Sequence, residues 1–92
     1  MRKSELPADV RAYKETPHFT EATLPAALRQ EHATKPGVWA EIVVERGRLR
    51  FQREDGGETI EIEGGASIVV PPEAAHRVTP LGSVRLFVRF YR

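Results

Sequence analysis

The stretch from Arg48 to Glu63 runs Arg-Leu-Arg-Phe-Gln-Arg, then Glu-Asp-Gly-Gly, then Glu-Thr-Ile-Glu-Ile-Glu, and it constrains the fold more than any other part of the chain. Apolar and polar residues alternate with a period of two on both sides of Asp55-Gly56, the signature of a β-hairpin closed by a two-residue primed turn. With Asp55 and Gly56 as the loop, Phe51 lies opposite Ile60, Leu49 opposite Ile62, Arg50 opposite Glu61 and Arg48 opposite Glu63. A slip of one residue would mismatch every one of these pairs, so the side chains themselves specify the register. One face of the hairpin is core and the other a solvated charge ladder, which makes Glu61 and Glu63 surface partners of arginine rather than an acid/base pair.

Strand signals continue on either side. Trp39 to Glu45 places Ala40, Ile42 and Val44 on one face and Glu41 and Glu45 on the other, and Gly47 permits a bend into the hairpin. Gly64-Gly65 marks a turn, Ala66 to Val70 a buried strand, Pro71-Pro72 a break and Ala75 to Val78 a short strand. In the last strand Val84, Leu86, Val88 and Phe90 alternate with Arg85, Phe87, Arg89 and Tyr91. Towards the amino terminus Val10 to Tyr13 reads as an edge strand. Leu24 to Leu28 either opens a helix or, given Pro17, Pro25 and Pro36, belongs to strands joined by loops. Roughly seven or eight short strands with frequent turns predict an all-β sandwich or barrel. A single domain over 1–92 is expected, ordered from about residue 6 to 91 behind a short amino-terminal tail.

Composition narrows the function. A chain of 92 residues supports one modest core, with about 64% of its unfolded surface buried on folding. Fourteen basic against 13 acidic residues leave a net charge of +1, which gives no electrostatic footprint for nucleic acid or an anionic membrane. No apolar run is long enough to span a bilayer. Met1-Arg2-Lys3 is followed by Ser4-Glu5-Leu6-Pro7-Ala8-Asp9 rather than the apolar stretch of an export signal, so a cytoplasmic location is expected. With no cysteine, any metal must be held by His, Asp, Glu or water.

Three histidines are present. His18, in Thr16-Pro17-His18-Phe19, reads as an exposed loop residue. If residues 28–34 are extended, Leu28, Gln30, His32 and Thr34 share a face that Leu28 turns inward, giving a polar stripe inside an apolar barrel. His76 follows Pro71-Pro72-Glu73-Ala74-Ala75 at the start of a strand and also has the opportunity to aim inward. Two neutral imidazoles converging in a pocket suit Zn²⁺, Fe²⁺, Mn²⁺ or Ni²⁺; the alternative is two structural histidines satisfied by backbone carbonyls. No glycine-rich phosphate loop is present, and neither Ser67 nor Ser83 sits in a nucleophile elbow. Glu73 stands on the loop before His76, as a rim group or as a partner that orients a ligand.

These residues resemble a known family. Gly65, Pro71 and His76 keep the spacing of the second cupin motif, although Glu73 replaces its usual glycine and Pro80 its usual asparagine. More specifically, Glu31 to Trp39, Val44 to Phe51, Pro71 to Val78 and the ending Phe90-Tyr91 resemble the TehB/YeaR-like domain over about Leu6 to Tyr91. This small cupin-like module occurs at the amino terminus of some TehB tellurite-resistance methyltransferases and as stand-alone proteins. The resemblance implies a cupin-type jelly roll with His32 and His76 pointing into an interior pocket. A ligand site using Gln30, Thr34, Lys35, Trp39 and Glu73 is expected around that pocket. Against the first cupin motif, Thr34 stands in the second histidine slot and Ala40 in the glutamate slot, seven positions before Gly47. Glu41 is one residue off and faces away. Two of the four common ligands remain, so a metal held by His32, His76 and solvent, helped by Gln30, and a metal-free ligand pocket are both consistent with the pattern.

Three functions follow as expectations. The first is a protein binding a metal or a small molecule or oxyanion, with a role in tellurite or related stress tolerance. The second is a metal-dependent enzyme of dioxygenase or isomerase type, with Glu73 or a water as base; the third is a non-catalytic interaction module. Phe87 and Tyr91 beside Arg85 and Arg89 suit a homodimer surface.

Overall fold

The computed structural model describes residues 6–54 and 57–92, so the expected Asp55-Gly56 turn and the amino-terminal tail lie outside the described residues. Six strands and one helical turn are formed: β1 (Ala12–Glu15), β2 (Phe19–Thr20), α1 (Ala26–Arg29), β3 (Trp39–Arg53), β4 (Thr59–Glu63), β5 (Ala66–Val70) and β6 (His76–Tyr91). All pairings are antiparallel, in the order β1-β6-β3-β4, with β2 added to β6 and β5 to β3. The architecture is all-β as expected, and among the described residues β1 and β4 do not meet, so the antiparallel sheet is open along that edge.

The hairpin register is the one the side chains specify: Arg48 opposes Glu63, Leu49 Ile62, Arg50 Glu61 and Phe51 Ile60. On its wet face Arg48 reaches diagonally, and its Nη1 lies 3.3 Å from Glu61 Oε1. Six strands rather than seven or eight result because two expected pairs merge. Gly47, with φ +82°, lies so close to β6 that a Cβ would stand 2.0 Å from the Ser83 carbonyl oxygen. The chain therefore continues through this point as one strand. Register shifts at Val44/Arg46 and Gly47/Leu49 absorb the bend as β-bulges. They also change the inward parity, from Ala40, Ile42 and Val44 to Leu49 and Phe51, so both halves of β3 feed one core with Ile62, Ile68, Val70, Val78, Val84 and Leu86.

The amino-terminal third departs most from expectation. β1 begins at Ala12 rather than Val10 and lies against the end of β6, with Ala12 opposite Tyr91. Pro25, at φ −59°, is preset for the helix-like turn that follows it. α1 therefore removes Leu28 from the extended stretch expected over 28–34. No helix among the described residues is long and apolar enough to cross a membrane.

Candidate functional site

Histidines 44 positions apart in the sequence meet because their backbones form one antiparallel bridge. The N–H of His32 donates to the His76 carbonyl at 2.9 Å, and the N–H of His76 donates back at 2.8 Å. Residues directly opposite in such a bridge project to the same side, and the two ring centroids are 4.1 Å apart with planes tilted by 59°. Phe51 backs the His76 ring at 5.4 Å.

Each ring is oriented by a backbone carbonyl two residues before it. His32 Nδ1 lies 2.9 Å from the Gln30 oxygen and His76 Nδ1 lies 2.7 Å from the Ala74 oxygen. A carbonyl only accepts, so Nδ1 carries the proton in both rings, and the neutral form of each has a bare lone pair on Nε2. His76 is only 2% exposed. Burial pushes its pKa from 6.5 down to about 4, the Ala74 hydrogen bond opposes this, and electrostatic coupling to His32 and Arg53 pushes it further down. His76 is therefore a neutral acceptor at pH 7.

The rings border a cavity of about 290 Å³, roomy enough for a small molecule. Its floor is buried and includes His76, Ala40, Ile42, Val78 and Leu86; its half-buried wall holds His32, Leu28, Thr34, Val38 and Phe90; its exposed rim is Tyr13, Lys14, Ala33 and Lys35. The Lys14 amine stands 5.9 Å over the Phe90 ring. Among the described residues no aspartate or glutamate contributes to the lining, so its fixed charges favour an anion.

Of the residues singled out in the sequence, His32, His76, Thr34 and Lys35 border this chamber, and Gln30, Trp39 and Glu73 do not. Gln30 exposes its side chain and contributes only the carbonyl that orients His32. Trp39 precedes Ala40 on β3 and so takes the opposite face, where it is paired with Tyr91. Glu73 is exposed, at φ 64°, and its backbone N–H donates to Thr34 Oγ1 at 3.3 Å, tying the two rim loops together. Tyr13, Lys14, Leu28, Val38 and Phe90 also line the chamber; Leu28 and Phe90 lie on faces the sequence pattern turned inward, whereas Tyr13 and Lys14 carry no local signal, because their positions depend on β1 docking against β6. The register shift between Ala12 and Lys14 is what lets consecutive residues of β1 both reach the rim.

Glu41 faces away from the chamber, into a network of its own. Ser67 Oγ donates to Oε2 at 2.9 Å, Tyr91 Oη donates to Oε1 at 2.8 Å, and Arg89 Nη1 lies 3.5 Å from Oε1. Burial raises the Tyr91 phenol, and the Glu41 carboxylate adds to this while Arg89 opposes it. His18, the exposed loop residue expected, has its Nδ1 2.7 Å from Glu45 Oε1 and stacks on Phe87 at 4.5 Å. Phe87, expected on an exposed partner surface, is buried beneath that ring. With Ala40 in the glutamate slot, no group of three or more His, Cys, Asp or Glu side chains converges among the described residues. The donor set falls short of the three protein ligands of a 2-His-1-carboxylate or catalytic zinc centre.

The TehB-like domain family matches residues 14–88. The probable S-adenosyl-L-methionine-dependent methyltransferase TehB of Haemophilus influenzae is 35% identical over 74 residues, which is 75% of this chain and 26% of the relative. The chain thus spans about a quarter of that relative's length. The crystal structure of TehB from Haemophilus influenzae superposes with a TM-score of 0.83 at 30% identity, covering 91% of this chain and 32% of that one. A protein from E. coli K12 gives a TM-score of 0.88 at 24% identity, with 97% and 96% covered. A cupin-2 domain containing protein from Shewanella frigidimarina gives 0.57 at 14% identity, with 96% and 76% covered, which identifies the architecture as the cupin fold.

Proposed function

This chain belongs to the TehB-like domain family, and on that premise we propose that it is a small cupin-type binding protein whose chamber receives a small anion. The observation that carries this is the lining: two lysines and, among the described residues, no carboxylate around a mostly apolar cavity. Lys14 and Lys35 attract the anion, and the two Nε2 lone pairs supply directed hydrogen-bond acceptors deeper in. A role in tellurite or related oxyanion tolerance is part of the same proposal and rests on the family. Thermal unfolding at pH 7 with acetate, benzoate and tellurite, against ethylamine and benzylamine, tests it, because a ligand of the native state raises Tm with concentration. An anion-dependent rise that Lys35→Ala diminishes supports the reading. Equal responses to acids and amines, or none, reject it.

A second reading has its own support. Facing rings whose Nδ1 atoms are both engaged leave two Nε2 atoms free to hold Zn²⁺, Fe²⁺, Mn²⁺ or Ni²⁺ with donors from solvent or ligand. A bound ion would act as a Lewis acid toward a ligand oxygen. Elemental analysis of protein purified without chelator or nickel resin decides it. Stoichiometric metal that is lost in the His32→Ala/His76→Ala variant supports the site, and equal metal in both proteins rejects it.

A further inference from the structure

We infer that the ligand is a small organic acid with an apolar body and a hydrogen-bond donor, a hydroxyl or phenol, at the end remote from its carboxylate. This rests on the anion reading above and adds orientation and chemical class to it.

The chamber is graded with depth. Its cations, Lys14 and Lys35, stand at the exposed rim, whereas the floor is buried alkyl surface from Ala40, Ile42, Val78 and Leu86 around one imidazole. A bare inorganic oxyanion engages only the rim and leaves the rest of the chamber unused. At the floor it would exchange its hydration for alkyl contacts, and at the rim it would leave the apolar walls without a partner. A carboxylate at the rim with a hydrocarbon body below it satisfies both.

The polarity of the floor follows from His76. Its Nδ1–H is engaged by the Ala74 carbonyl at 2.7 Å, so the edge left to a ligand is the acceptor Nε2. A carboxylate placed there would set acceptor against acceptor, whereas an O–H donates. His32, whose Nδ1 is engaged by Gln30, offers the same polarity from the wall, so the deep pole asks for a donor at both rings. The volume of about 290 Å³ leaves room for one small ring-bearing acid such as a hydroxybenzoate.

Titration calorimetry on the whole chain at pH 7 tests this with four probes: 4-hydroxybenzoate, benzoate without the donor, 4-hydroxybenzyl alcohol without the charge, and tellurite. The expected result is that 4-hydroxybenzoate binds at least about tenfold more tightly than each of the others, since a site built to pair a hydroxyl discriminates against analogues lacking it. Lys35→Ala should reduce the advantage of the acid over the alcohol, and His76→Phe the advantage of 4-hydroxybenzoate over benzoate. His32→Phe, a change on the half-buried wall, provides the same readout if His76→Phe fails to fold. Benzoate, the alcohol or tellurite matching 4-hydroxybenzoate overturns the inference while leaving a binding chamber in place. Absence of binding by all four at millimolar concentration removes the anion reading itself.

Discussion

Ala40 and Glu41 are neighbours on β3, yet one is floor of the chamber and the other the centre of a hydrogen-bonded cluster on the opposite face. On the outer face the carboxylate of Glu41 is met by Ser67, Tyr91 and Arg89, all from the same chain. On the inner face the two imidazoles have Nδ1 fixed by backbone and turn an acceptor edge to the cavity. The difference separates two uses of polar groups in a small core. Self-satisfied groups hold strands together, and groups satisfied on one side only are set up to receive something else.

Four changes break or sharpen this contrast. The largest effect is expected from Ala40→Glu, which moves a carboxylate by one residue onto a floor position that is 3% exposed. An unpaired buried charge should lower stability by about 3–5 kcal/mol in urea unfolding; a loss under about 1 kcal/mol would erase the distinction between the faces.

Next is the pH dependence of His76. Its pKa of about 4 in the folded chain lies below the ordinary 6.5, so between these values the unfolded state binds the extra proton. Stability is then fully present above about pH 6.5, falls as pH drops towards about 4, and loses about 3 kcal/mol in all. His76→Phe should remove this component, which is seen as a shallower decline than wild type over that window; identical slopes would contradict it.

Glu41→Ala, on the outer face, should cost about 1–2 kcal/mol, the worth of half-buried bonds to a charged group. It should also lower the Tyr91 pKa in a spectrophotometric titration, because Glu41 is one of the groups that raise it; an unchanged phenol would place the two side chains apart. Arg48→Ala, which removes an exposed pair with Glu61, should change stability by less than about 0.5 kcal/mol, and a larger loss would show the hairpin's charge ladder to be more than a solvated face.

How much of this was legible in the sequence varied along the chain. The hairpin register was readable residue by residue, because Leu49, Phe51, Ile60 and Ile62 alternate with charges whose signs also match. The outward turn of Glu41 followed from parity alone, and the same parity rule corrects Trp39, which cannot share the chamber with Ala40. The count of strands was not legible: Gly47, which reads as a bend between two strands, adopts positive φ within one continuous strand, as does Gly82 in β6. The meeting of His32 and His76 was anticipated from the inward stripe and the cupin spacing. The mechanism differs, because α1 takes Leu28 out of that stripe and a single backbone bridge does the pairing. Lys14 could not be found locally, since its place at the rim depends on β1 pairing with the far end of β6.

The central claim is that two rings, each protonated at Nδ1, present Nε2 lone pairs to one shared chamber. Long-range ¹H–¹⁵N spectra of the histidine rings at pH 7, recorded during a titration with 4-hydroxybenzoate, measure this directly. The account predicts the Nδ1–H tautomer for both His32 and His76, and Nε2 resonances of both that move together with one Kd. An Nε2–H tautomer in either ring, or a titration that leaves one of the two unmoved, would contradict it.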